Sequence, residues 1–153
     1  MWRCSQYAVL LMFIVWGCAT APSGPVQTYG AFYQAVSEED WDLAVTFLSP
    51  RARKTFTKVG RELQSIVGAE GDPLDFFLQG IRAQLHTPLL KVEQIEQSGD
   101  SAKLKVVAGK CGQDVSTEDC FRSEVPVVFI SGRWYVDPKL PTLGVEDGVT
   151  KGG

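Results

Sequence analysis

The hydrophobic period of this chain changes once, from 3.6 residues to 2, and that change sets the fold class before any motif is weighed. Tyr29, Phe32, Tyr33 and Val36 recur at i, i+3, i+4, i+7 and make one apolar stripe on a first helix. Ser37 reads as the N-cap of a second helix, with Glu38, Glu39 and Asp40 in its first turn, where carboxylates favour the positive end of the helix dipole. Trp41, Ala44, Val45 and Leu48 form its stripe. Ser49-Pro50 starts a third helix, since proline suits the first helical position; Ala52, Phe56, Val59, Leu63 and Ile66 carry it. Residues 68–71 break that pattern, and Asp72-Pro73 repeats the cap-plus-proline signal for a fourth helix bearing Leu74, Phe77, Leu78, Ile81 and Leu85, closed before Pro88.

From residue 90 the pattern alternates. Leu90–Gln97 reads as a strand, Ser98-Gly99-Asp100 as a turn, and Ala102, Leu104, Val106 and Ala108 as one face of the next strand, against Ser101, Lys103 and Lys105 on the other. Ser123, Val125, Val127 and Phe129 continue the sheet, and Ser131-Gly132 signals a tight hairpin before Arg133–Asp137. Pro126 inside a strand pattern predicts an edge strand or a bulge. Helices followed by a meander make an α+β fold, with the helices on one face of an antiparallel sheet.

The amino terminus carries the address. Arg3 precedes an apolar run from Ala8 to Val15, too short to cross about 30 Å of hydrocarbon but of the length of a cleaved secretory signal. Val15-Trp16-Gly17-Cys18 resembles the lipobox of bacterial lipoproteins. That resemblance implies cleavage after residue 17, acylation of Cys18 and a stable membrane anchor, because each buried methylene contributes about 0.8 kcal/mol and several chains act together. The expected organisation is a signal peptide at 1–17, a lipidated cysteine and flexible tether at 18–25, a folded domain at 26–138 and a flexible tail at 139–153. Ala19 after the cysteine, in place of an inner-membrane retention aspartate, favours the outer membrane facing the periplasm.

Order and motif together carry a second resemblance. The aromatic first helix, Asp40-Trp41 and the terminal Gly132-Arg133-Trp134-Tyr135-Val136-Asp137 resemble the nuclear-transport-factor-2-like cone fold, a curved sheet wrapped on helices. Within it they resemble a lumazine-binding-like group of bacterial lipoproteins of unassigned function.

Composition narrows the partners. The formal charge is −3, and becomes −4 without Arg3, so a nucleic-acid partner is disfavoured. After removal of Cys4 with the signal and acylation of Cys18, Cys111 and Cys120 are the remaining thiols, and an exported pair is expected to form a disulfide. A metal there would lack a histidine and a compact ligand set, so no metal or cofactor is expected.

Arg51, Lys54, Lys58 and Arg61 line one face of the third helix, joined by Arg53, and are candidates for contact with an anionic surface as well as an ordinary solvated face. His86, the single histidine, is expected at the end of the fourth helix, where an imidazolium suits the negative end of the dipole. Tyr29 and Tyr33 could donate hydrogen bonds inward, and Phe32, Trp41, Phe47, Phe76 and Phe77 could line a cavity or fill the core. No Ser-His-Asp, phosphate-loop or His-Glu-X-X-His pattern is present. The expectation is therefore a lipid-anchored, non-catalytic envelope domain that binds a small apolar ligand or an envelope protein. The alternative is a small enzyme of the polyketide-cyclase or isomerase type, which requires a carboxylate such as Asp75, or His86, inside the cavity.

Overall fold

The computed structural model describes residues 22–111 and 120–139. Four helices come first: α1 (Pro25–Ser37), α2 (Trp41–Phe47), α3 (Pro50–Val67) and α4 (Pro73–Ala83). Four strands follow: β1 (Leu89–Ser98), β2 (Ser101–Gly109), β3 (Cys120–Ile130) and β4 (Arg133–Val136). The strands pair antiparallel in chain order, so β1 and β4 are the two edges of an open sheet.

Local chemistry explains most of the boundaries. Ser49 caps α3 by accepting from the Ala52 amide at 3.0 Å, with Pro50 at the first helical position. Asp72 caps α4 through the amides of Leu74 and Asp75, and Gly68 ends α3 in the left-handed region at φ 70°. One cap differs from expectation. Ser37 closes α1, its hydroxyl donating to the Tyr33 carbonyl, and Asp40 caps α2 by accepting from the Leu43 amide at 3.1 Å. Two candidate caps, Ser37 and Asp40, stand within four residues, and Glu39, at φ 61°, makes the turn that leaves Asp40 at the boundary. The Ser131-Gly132 hairpin has φ of 50° and 84°, the two positive values that a two-residue type I′ turn requires.

The sheet turns Ala102, Leu104, Val106 and Val127 toward the helices, where they join Phe32, Val36, Phe47, Leu48, Phe56 and Leu78 in one core. α1 lies on the sheet and touches all four strands, while α3 packs chiefly on α4. Phe56 and Phe77 meet at that helix pair with ring centroids 4.5 Å apart. The opposite face of the sheet is a charge lattice: Lys103 reaches Glu96 at 3.2 Å and Glu124 at 3.5 Å, and Lys91 reaches Glu93 at 2.7 Å. Glu96, chiefly through its hydrogen bond, and then Glu124 push the Lys103 ammonium above its ordinary pKa.

Pro126 departs from expectation. β3 is an interior strand in unbroken register with β2, where Lys103 faces Pro126, and the register shifts fall in β1 instead. The Pro126 carbonyl accepts from Asp137, so its missing N–H points to the β4 side, one residue beyond the last β4 pair at Val127 and Val136. The one bond lost is the reciprocal one to the Asp137 carbonyl, at the end of the ladder.

The α+β arrangement of helices on an antiparallel sheet is what the structure shows. The expected cone is not confirmed: the four strands form an open sheet in which β4 is four residues long and bridged by Leu48 at Val136, and most of β1 is exposed. A sheet so short at one edge and so bare at the other is an open layer under α1.

A disulfide joins Cys111 to Cys120 at the end of the β2–β3 ladder, beside the Gly109–Cys120 register pair. Closing a loop of about ten residues stabilises by roughly 2–3 kcal/mol on the chain-entropy account. Reduction under native conditions is therefore expected to lower the stability read from urea unfolding by that amount, and an unchanged midpoint on verified reduction would show that the ladder holds unaided.

Candidate functional site

Where α1, the end of α4 and the far end of the β2–β3 ladder meet, the packing leaves a partly open cavity of about 220 Å³. α1 supplies Tyr29, Phe32, Tyr33 and Val36, at the stripe spacing read from the sequence. Ile81, Gln84, Leu85 and His86 come from the last turn of α4 and the segment after it, and Ala108 and Phe121 from the paired strands. Most of this lining is apolar, with aromatic rings on both sides.

His86 is the largest change from the sequence reading. α4 ends at Ala83, so the ring is not on the helix terminus and the dipole does not account for its placement. It lies instead against Phe121, ring centroids 5.5 Å apart and planes within 16°. The Tyr33 hydroxyl donates to the His86 carbonyl and clamps this segment to α1. A contact over 53 residues leaves no local trace in the sequence; only the inward spacing of Tyr33 hinted at it.

Tyr29 is 7 % exposed, and its hydroxyl makes no hydrogen bond among the described residues. Burial, reinforced by the neighbouring Tyr33, pushes its pKa up to about 12. The sign follows. Between pH 10 and 12 the unfolded chain releases this proton while the folded chain keeps it, so stability falls as pH rises through that window. A shift of about two units corresponds to roughly 3 kcal/mol. Tyr29→Phe should lose this share of the alkaline decline in a urea titration from pH 9 to 12; an equal decline in both proteins would remove Tyr29 as its source.

Asp75 does not enter the cavity. It sits in the first turn of α4, where burial and then Asp72 and Asp42 push its carboxyl above the usual range. Phe32 and Tyr33 line the cavity, whereas Phe47 is core, Trp41 and Phe77 pack at its margin, and Phe76 is half-buried.

The basic face of α3 divides. Arg51 is bound to the Asp137 carboxylate, and Arg53 donates to the Leu48 carbonyl at 3.0 Å. Lys58 stands 3.9 Å from Glu62, one turn on, while Lys54 and Arg61 are exposed and in no ion pair among the described residues. Asp137 was read only as the end of a strand. It is in fact 6 % exposed and accepts from the Ser49 hydroxyl as well as from Arg51, fastening the start of α3 to the end of β4.

Cys18 and the signal run lie outside the described residues, as does most of the loop between Cys111 and Cys120. Among the described residues no helix is long and apolar enough to cross a membrane, and no group of three or more histidine, cysteine or acidic side chains could hold a metal ion.

No family model matches this chain, and no curated protein matches it. Among solved structures it is similar to the solution structure of a SEC-C motif-containing protein from Rhodopseudomonas palustris, at 16 % identity over 76 % of this chain and 77 % of that one, with a TM-score of 0.44. A likeness of that degree assigns no activity. The expected membership in the nuclear-transport-factor-2-like, lumazine-binding-like lipoprotein group is therefore corrected: no model of such a family matches, and the sheet is open.

Proposed function

We propose that this protein is a lipid-anchored cell-envelope domain, held by Cys18 at the outer membrane, that binds a small apolar molecule without transforming it. The observation that carries the binding reading is the cavity between α1, the end of α4 and the β2–β3 ladder: concave, mostly apolar and furnished with few polar groups, the usual make-up of a ligand site. Its volume of about 220 Å³ suits a molecule near the size of a single ring. Engineered apolar cavities of about 150 Å³ take up benzene. That fit favours a small ligand over a protein partner for this surface.

The anchor rests on the lipobox-like Val15–Cys18 sequence, and the disulfide is in keeping with an oxidising compartment. The enzyme alternative keeps one supporting observation, the presence of His86 in the cavity wall. Isomerase-type proton transfer works with a carboxylate base facing a hydroxyl donor, and among the described residues the ten that line the cavity include no carboxylate.

Two measurements test the proposal. Metabolic labelling with a fatty-acid analogue should mark wild type and not Cys18→Ser; unlabelled, soluble product from both would refute the anchor. Benzene at saturating concentration should raise the thermal midpoint of wild type, since a ligand that binds only the folded state stabilises it. Ala108→Leu, which adds three carbons inside the cavity, should abolish that rise. An equal rise in both would place benzene elsewhere.

A further inference from the structure

Resting on the reading of this cavity as a ligand site, we propose that its ligand is a neutral, planar, one-ring aromatic molecule carrying a hydrogen-bond acceptor, held between the Phe121–His86 wall and the α1 tyrosines with Tyr29 donating to the acceptor.

Volume sets the size. At about 220 Å³ the cavity has room for one ring with a short substituent and none for a fused tricycle or a long acyl chain. The walls set the shape. On one side the His86 and Phe121 rings lie nearly parallel, 16° apart. On the other, Tyr29 stands at 6.4 Å from Phe32 and 6.5 Å from Tyr33, with planes tilted by 51° and 41°. A flat π-system entering between them meets rings on both sides. It can stack on one wall and present its edge to the other, the two geometries that aromatic pairs favour at centroid separations of about 4.5–7 Å. A saturated ring of equal volume gains contact area only.

The hydroxyls set the polarity. Tyr33 is already committed to the His86 carbonyl. The Tyr29 hydroxyl is without a partner among the described residues, on a side chain more than nine-tenths buried in the cavity wall. Because no buried polar side-chain atom among the described residues lacks a partner, this hydroxyl reaches solvent through the open side of the cavity, and a ligand acceptor takes the place of water there. Charge is disfavoured for the reason that keeps Tyr29 protonated: burial here works against an anion. Arg82, whose charge acts on Tyr33, has its Nε committed to the Ser37 carbonyl at 3.1 Å.

Three probes of matched size separate these contributions: acetophenone (ring and acceptor), ethylbenzene (ring alone) and cyclohexyl methyl ketone (acceptor alone). Calorimetric titration of the full chain in lipid nanodiscs, with empty nanodiscs as the blank, gives each constant. Acetophenone should bind at least about threefold more tightly than cyclohexyl methyl ketone, the lower range of an aromatic pair. Tyr29→Phe should weaken acetophenone about fivefold, as expected for one neutral hydrogen bond, and leave ethylbenzene within about twofold. Phe121→Leu, at an exposed position where folding is not at stake, should reduce the preference for acetophenone over the saturated ketone. Equal binding of the phenyl and cyclohexyl ketones, or undiminished acetophenone binding by Tyr29→Phe, overturns the ligand class while leaving a ligand site in place. Silence from all three probes, together with no thermal response to benzene, overturns the ligand site itself.

Discussion

Gly60→Ala is expected to lose about 2–4 kcal/mol of folding stability and to loosen α4 from α3, although alanine is the better helix former. A Cβ built at this buried position would stand 1.9 Å from the Pro73 carbonyl oxygen and 2.8 Å from its carbon. Both atoms are backbone at the start of α4, where Asp72 and Pro73 hold the chain, so no flexible side chain can move aside. α4 must shift as a body, opening the Phe56–Phe77 contact and exposing part of Leu78, which is fully buried. Overpacking of this kind costs about 1–3 kcal/mol and more where the backbone is the obstacle; the intrinsic helix preference for alanine, up to about 1 kcal/mol, offsets only part of it. Gly30 and Gly80 provide the control. Both are helical, and a Cβ at either meets nothing within 4 Å. Their alanine variants should gain about 0.5–1 kcal/mol. Urea unfolding of the three proteins decides it, and a Gly60→Ala midpoint at or above wild type would mean that the two helices do not cross this closely in solution.

The second large effect is expected at Asp137. Its carboxylate is nearly buried and accepts from Ser49 and Arg51, while its own amide donates to the Pro126 carbonyl at 2.9 Å. The Ser49 amide donates in turn to the Val136 carbonyl, and Leu48 bridges Val136 in parallel. One carboxylate thus holds the α2–α3 junction to the end of the four-residue last strand. Asp137→Ala leaves the Ser49 hydroxyl without its acceptor and frees the guanidinium. Breaking a fully buried pair costs about 3–5 kcal/mol. Because the Arg51 side chain is 60 % exposed, water compensates much of its share, and about 2–3 kcal/mol is expected here. Arg51→Ala alone should cost about 1 kcal/mol or less, and the double variant little more than Asp137→Ala, since both substitutions remove one shared interaction. Independent, additive losses in that cycle would show that Asp137 acts through Ser49 and the backbone alone.

Both predictions rest on contacts between residues far apart in the chain, and the two regions were unequally legible in the sequence. Ser49-Pro50 and Asp72-Pro73 announced two helix starts, because a cap and the amides it satisfies lie within three residues of each other. The alternation Ala102, Leu104, Val106, Ala108 announced the inward face of β2, because side-chain direction in a strand is set by the parity of position. At Ser37 the same local logic chose wrongly. Two capping residues, Ser37 and Asp40, compete there, and the φ of Glu39, which no composition reveals, settles which one begins the helix.

The cavity was legible only on its α1 side, as a stripe of rings that could equally have been core. Its other wall depends on His86 meeting Phe121, 35 residues away, and on Tyr33 reaching a carbonyl 53 residues on. Arg51 shows the same division from another angle. By its neighbours Arg53, Lys54 and Lys58 it belonged to a basic face, and only folding brought Asp137 within reach of it.

The amino-acid sequence alone determined the order of helices and strands, the caps at Ser49 and Asp72, and the turns at Ser98–Asp100 and Ser131–Gly132, because each depends on short-range sterics or on period. Which helix lies on the sheet, that the sheet remains open, and that an aromatic cavity forms beside His86 were decided by tertiary structure. Those outcomes depend on the packing of side chains dozens of residues apart, and a linear pattern specifies which way a side chain faces without specifying what it will meet.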